Sequence, residues 1–96
     1  SVTKLSAVVS STGVLDRGQG VTSATRLGLG GYSVVFNQNV SACTYLATPG
    51  GIAGTTPQGH LSVGRLGGNA NGVFIAARNG ADTTDIDISF HLIVLC

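Results

Sequence analysis

The chain ends in the stretch IDISFHLIVLC, residues 86–96, and this stretch decides the fold class. Its even-numbered positions form an unbroken apolar face with the two-residue period of a β-strand, carried by Ile86, Ile88, Phe90, Leu92, Val94 and Cys96. The odd-numbered positions are polar as far as His91 and apolar at Ile93 and Leu95. We therefore predict a strand in the centre of a sheet, buried on one face throughout. Its second face meets another sheet or another subunit near the end.

The rest of the chain shows short apolar segments separated by Gly, Asn and Pro, which are typical of turns. We predict strands at Leu5–Val9, Val21–Leu27, Tyr32–Asn37, Ala42–Thr48, His60–Leu66, Val73–Arg78 and Ile86–Leu95, with a short one at Val14–Leu15 inside a long turn. No segment has the apolar stripe of an amphipathic helix. This pattern predicts a single all-β domain over residues 1–96, an antiparallel β-sandwich or jelly-roll-like barrel of about seven or eight short strands.

The composition is unusually poor in charge. Only 9% of the 96 residues are charged and the net charge is +1, whereas about a quarter of an average soluble domain is charged. We expect Ser, Thr, Asn, Gln and Gly to solvate the surface, other copies of the chain to cover part of it, and the domain to end a longer protein. We expect neither nucleic acid as a partner nor membrane insertion, because there is no basic patch and no apolar run as long as a spanning helix.

Cys43 and Cys96 are the only two cysteines. An even count in a small chain favours one disulfide and an oxidising compartment, so we predict an extracellular or cell-surface location. The alternative is a pair of reduced, buried cysteines that behave as small apolar residues.

Few residues offer catalytic or metal-binding chemistry. The two histidines, His60 and His91, are not accompanied by a nucleophile motif, so we predict no enzyme and no cofactor. Asp82, Asp85 and Asp87 lie close together, and oxygen ligands at such spacing are one way to hold Ca²⁺. We favour the alternative, in which Asp82 and Asp85 turn the loop through their own backbone and Asp87 stays exposed or pairs with Arg78, with no metal site.

Planar amides and aromatic rings are the groups that read sugars, and the chain has a small set of both. The candidate binding residues are Tyr32, Asn37, Asn39, Tyr45, Asn69 and Asn71. We expect the loops Leu27–Gly31, Pro49–Gly59 and Gly67–Gly72 to cluster at one end of the domain and to form a contact surface.

Three segments carry a resemblance to a known group of domains. They are TGVLDRGQGV at residues 12–21, GYSVVFNQNVSACTY at residues 31–45 and FHLIVLC at residues 90–96. Together they resemble small bacterial extracellular domains found at the C-terminal ends of secreted or surface proteins, some of them after collagen-like or fibre segments. The resemblance implies a β fold, paired cysteines and a trimeric tip, and it transfers no catalytic residue.

These observations lead to two functional hypotheses. In the first, the domain is a non-enzymatic trimerisation and surface-binding tip of a secreted or fibre-like bacterial or phage protein. Ile93 and Leu95 are then the interface anchors, His91 lies beside them, and the loops contact a cell-surface glycan or protein. In the second, it is a monomeric carbohydrate- or protein-binding sandwich with a cleft lined by Tyr32, Tyr45 and asparagines.

Overall fold

Eight strands form in the computed structural model, which describes residues 2–96. Their bounds are β1 Lys4–Val9, β2 Leu15–Gln19, β3 Val21–Gly28, β4 Gly31–Phe36, β5 Thr44–Pro49, β6 His60–Arg65, β7 Gly72–Arg78 and β8 Phe90–Leu95. The first sheet has the strand order β2-β1-β8-β5 and the second has the order β3-β4-β7-β6, with every neighbouring pair antiparallel. The two sheets pack against each other, which confirms the prediction of an all-β antiparallel sandwich. Among residues 2–96, no helix is long and apolar enough to cross a membrane.

The last strand lies in the centre of its sheet, as its apolar pattern predicts. β8 pairs with β1 on one side and with β5 on the other, and its residues Phe90, Leu92 and Val94 are buried in the core. The predicted start at Ile86 is wrong, because the strand begins only at Phe90. The preceding segment still belongs to the second sheet, where the Ile86 N–H donates to the carbonyl oxygen of Ala77 at 3.3 Å. Residues 86–89 thus carry the chain from one sheet to the other.

The core lies between the inward faces of the two sheets. Its large buried side chains are Tyr32, Phe36, Phe90, Ile75, Val9, Val34, Val40, Val73 and Val94. The rings of Tyr32 and Phe90 meet edge to face with their centroids 5.2 Å apart, a geometry that aromatic pairs prefer. This contact joins the centre of one sheet to the centre of the other.

The second strand is longer than its sequence indicates. The prediction placed a short strand at Val14–Leu15, whereas β2 covers Leu15–Gln19. β2 is an edge strand that is exposed along most of its length, so it carries no apolar alternation. Its pairing with β1, which the sequence does not reveal, is what extends it.

Cys43 and Cys96 form a disulfide, with their Cα atoms 4.5 Å apart. Thr44 and Leu95 are partners in the β5–β8 ladder, so the bridge closes the end of that ladder. The alternative of two reduced cysteines is therefore wrong.

Candidate interface on the outer face of the first sheet

The outer face of the first sheet points away from the second sheet and carries the predicted interface residues. Residues opposite each other in an antiparallel ladder point to the same side. The central row therefore runs from Leu46 through Ile93 to Ser6. Leu46 is 61% exposed and Ile93 is 39% exposed. Such exposure is high for large apolar side chains that lie side by side on a β-sheet.

The two neighbouring rows enlarge this apolar area. One row contains Thr44, Leu95 and Lys4, and the other contains Thr48, His91, Val8 and Arg17. We define the Ile93 patch as the apolar residues of the three rows, which are Val8, Leu46, Ile93 and Leu95. The charged residues Lys4 and Arg17 lie on its rim, so the centre of the face carries no charged side chain.

A loop over residues 50–59 bounds the patch on one side. The Nε2–H of His91 donates to the carbonyl oxygen of Gly51 at 2.9 Å, and Arg17 Nη1 donates to the carbonyl oxygen of Ile52 at 3.0 Å. The loop therefore reaches across the outer face at His91. A cleft of about 270 Å³ on the same face is lined by Leu46, Ala47, Thr48, His91 and Ile93. His91 thus lies beside Ile93, and its ring is fixed by the loop backbone.

The predicted binding tyrosines are not surface residues. Tyr32 is 0% exposed, because it occupies an inward position on β4, a central strand of the second sheet. Its hydroxyl donates to the carbonyl oxygen of Ser11 at 2.7 Å and accepts from the N–H of Ile88 at 3.1 Å. Tyr45 is half-buried, and its hydroxyl donates to the carbonyl oxygen of Val40 at 2.6 Å. The predicted cleft built around Tyr32 is therefore wrong.

The predicted asparagines share the end of the sandwich that carries the disulfide. Two backbone bonds hold the loops of this end together, from Phe36 N–H to the oxygen of Asn71 and from Val40 N–H to the oxygen of Ala70, each 2.9 Å long. Asn39 and Asn69 each accept a bond from the N–H two residues later, at 2.9 Å. Such bonds build turns. The structure therefore brings Asn37, Asn39, Asn69 and Asn71 to one end, and it uses the side chains of Asn39 and Asn69 to shape the loops.

The three predicted contact loops do not cluster. The Leu27–Gly31 turn and the Pro49–Gly59 loop lie at one end, because β4 begins and β5 ends there. The Gly67–Gly72 loop connects β6 to β7 at the opposite end. The Gly67–Gly72 loop is separated from the other two loops by the directions in which the strands run. The sequence pattern does not reveal these directions.

Asp87 anchors the end of the sandwich that carries the Leu27–Gly31 turn. It accepts bonds from Arg26 Nε and from the Gly30 N–H, each at 2.9 Å, and it lies 3.4 Å from the Tyr32 hydroxyl. The hydrogen bond from Arg26 lowers the pKa of Asp87 and raises the pKa of Arg26, while burial raises the pKa of Tyr32. The proposed pairing of Asp87 with Arg78 is wrong, because the residue opposite Arg78 is Asp85 and the Asp87 carboxylate faces Arg26 and Gly30 instead.

Arg78 instead pairs with the other two aspartates of this segment. Its Nε donates to Asp82 at 2.8 Å and its Nη1 donates to Asp85 at 3.0 Å. Asp82 turns the loop through its own backbone, as predicted: its φ is 57° and its N–H donates to the carbonyl oxygen of Asn79 at 2.9 Å. The side-chain oxygen of Asn79 accepts from the Thr83 N–H at 2.8 Å and holds the same turn. The prediction is wrong for Asp85, which lies after the turn. Among residues 2–96, no three His, Cys, Asp or Glu side chains lie together as a set that could hold a metal ion.

Comparison with known proteins gives no further assignment. No protein-family model matches this chain, and no curated protein or solved structure is significantly similar to it.

Proposed function

We propose that this domain is a non-enzymatic assembly module, which joins copies of its chain into a homotrimer through the Ile93 patch. The observation that carries the proposal is the pairing of Leu46 with Ile93, two exposed apolar side chains side by side on adjacent strands of a sheet. The number of subunits, three, is inferred from the resemblance of the sequence to trimeric tip domains. The parent protein is extracellular or on a cell surface, in keeping with the disulfide.

The Ile93 patch has the chemical character of an obligate interface. Interface cores are apolar and depleted in charge, and charged residues lie on the rim, as Lys4 and Arg17 do here. Covering the exposed part of Leu46 or Ile93 is worth on the order of 1 kcal/mol for each side chain. Repeated over three copies, with Val8 and Leu95 added, this burial favours association.

The end of the domain with the Leu27–Gly31 turn is the proposed contact surface for a cell-surface glycan or protein. Leu27, Leu29 and Ile52 are exposed there. Loops that a rigid scaffold holds in place often carry binding function. The anchor formed by Asp87, Arg26 and Gly30 keeps this turn in a fixed position.

The oligomeric state of the purified domain tests the proposal. We expect light scattering after size exclusion to give the mass of a trimer for the wild type and of a monomer for Ile93→Lys. Phe74→Lys is the matched control, because Phe74 is 36% exposed on the outer face of the other sheet. A wild-type monomer at micromolar concentration refutes the proposal, and so does an Ile93→Lys variant that stays trimeric.

The alternative is a monomeric sugar-binding module, and one feature favours it. A cleft of about 390 Å³ lies between the end of β5 and the loop, lined by Thr48, Pro49, Gly50, Thr55, Thr56, Pro57, Gln58 and Gly59. Its lining offers hydroxyl, amide and backbone groups without a charged side chain, which suits a neutral sugar. A glycan array with the wild type and with Gln58→Ala decides this: glycan binding by a monomer that Gln58→Ala abolishes supports the alternative.

A further inference from the structure

The four edge strands of the sandwich differ in their protection against pairing with another strand. In β2 and β3 the ladder is interrupted by extra residues, Asp16 in β2 and Thr22 and Leu27 in β3. Such bulges twist an edge away from a new partner. In β5 the outward-facing edge contains Pro49, which has no N–H to donate.

β6 carries none of these devices. It pairs with β7 residue by residue, from His60 opposite Arg78 to Arg65 opposite Val73, without a shift in register. Its sequence, HLSVGR, contains no proline and has its one full charge at the last position. Val63, in the middle of the strand, is 37% exposed. β6 is therefore the unprotected edge among the strands that the structure describes.

The alternation of hydrogen bonds along the β6–β7 ladder shows which backbone groups of β6 point away from β7. The Leu66 N–H donates to the carbonyl oxygen of Gly72 at 3.1 Å. Bonded pairs alternate along an antiparallel ladder, so His60, Ser62 and Gly64 bond to β7. The backbone N–H and C=O groups of Leu61, Val63 and Arg65 point to the open edge.

We propose that β6 pairs in antiparallel fashion with β6 of a second copy of this chain, around a two-fold axis at Val63. In this register Val63 faces its own copy and Leu61 faces Arg65, so no two arginines oppose each other. The exposed Val63 side chains cover one another, and the second sheets of the two copies become one continuous sheet of eight strands. A second copy is the occupant because β6 matches itself in this register. The outward N–H and C=O groups of one strand meet those of the other, Val63 meets Val63, and the two arginines stay apart.

This contact is additional to the proposed trimer and independent of it. The Ile93 patch lies on the outer face of the first sheet, whereas the open backbone groups of β6 lie on an edge of the second sheet, so the two contacts use different surfaces. Two-fold pairing through β6 then links one assembly to another.

Amide hydrogen exchange as a function of protein concentration tests the pairing at single residues. We expect exchange at Leu61, Val63 and Arg65 to become about tenfold slower or more between micromolar and millimolar concentration. Exchange at Ser62 and Gly64 stays slow throughout, because their N–H groups already bond to β7. Exchange at the three edge amides that does not depend on concentration overturns the proposal.

Two variants remove the contact by different means. Val63→Pro deletes an outward N–H and leaves the bonds to β7 intact, and Val63→Lys places two like charges opposite each other at the axis. Val63→Thr is the control, since it keeps the N–H, the β-branch and the neutral charge. We expect both edge variants to lose the association that Val63→Thr retains. A Val63→Lys variant that associates like the wild type refutes the pairing. Ile93→Lys, which tests the trimer, leaves the protection of the edge amides unchanged.

Discussion

Replacing both cysteines with serine tests how the fold is held together. The Cys43–Cys96 bridge spans 53 positions of sequence and encloses strands β5 to β8. In the loop-entropy description, closing a loop of this length in the unfolded chain is worth about 4 kcal/mol. Because Cys96 is exposed and Cys43 is half-buried, the serines leave no large cavity in the core. We therefore expect the Cys43→Ser/Cys96→Ser variant to lose about 4 kcal/mol of unfolding free energy.

The measurement is a pair of denaturation curves followed by circular dichroism. For a domain of this size, a loss of about 4 kcal/mol lowers the melting temperature by on the order of 20 °C. The slope of the free energy against urea concentration increases, because the unfolded chain without the bridge exposes more surface. Reductant lowers the stability of the wild type to that of the variant and has no effect on the variant itself.

One outcome contradicts the reasoning directly. A variant that loses less than about 1 kcal/mol, with an unchanged urea slope, shows that the bridge does not restrict the unfolded chain. The ladder between β5 and β8 then holds this end of the sandwich without it.

Two further predictions concern the polar anchor between the sheets. Tyr32→Phe leaves the carbonyl of Ser11 and the N–H of Ile88 without their side-chain partner, so we expect a loss of about 1–3 kcal/mol in urea denaturation; a change below about 0.5 kcal/mol contradicts the role of this hydroxyl. The pKa of Asp87 is lower in the folded chain than in the unfolded chain, where it is about 3.9. The Asp87 carboxylate therefore stabilises the fold fully at any pH above about 3.9. This contribution is lost as the pH falls through the pKa that Asp87 has in the folded chain. We therefore expect the difference in unfolding free energy between the wild type and Asp87→Asn to become smaller on acidification. A difference that stays constant over this pH range refutes the stabilising role of the Asp87 carboxylate.

The sequence predicts the fold well where a strand is buried on one face. The alternation from Phe90 to Val94 identifies a central strand because burial imposes the two-residue period on the side chains. β2 lacks this pattern because it is an exposed edge, so only its partner β1 defines it. The start of β8 is also predicted wrongly, because Ile86 and Ile88 continue the two-residue apolar period although the chain is crossing between the sheets there.

The candidate site is predictable only in part, for a physical reason. Ile93 and Leu95 stand out because they are apolar at positions that alternate with the buried face. Leu46, the partner of Ile93, becomes visible only when the register of β5 and β8 is known. Residue type alone also does not distinguish an exposed tyrosine from Tyr32, which is buried and whose hydroxyl forms hydrogen bonds inside the fold.

The arrangement of charge connects the two proposed contacts. All four aspartates of the chain are in ion pairs, with Arg17, Arg26 or Arg78. Among the residues that the structure describes, the cations outside these pairs are Lys4, on the rim of the Ile93 patch, and Arg65, at the end of β6. Like charges that meet across an interface cost free energy. A slipped pairing of two β6 strands that brings Arg65 opposite Arg65 is therefore disfavoured relative to the register centred on Val63. In a chain with so little charge, this one arginine is enough to disfavour the register centred on Arg65.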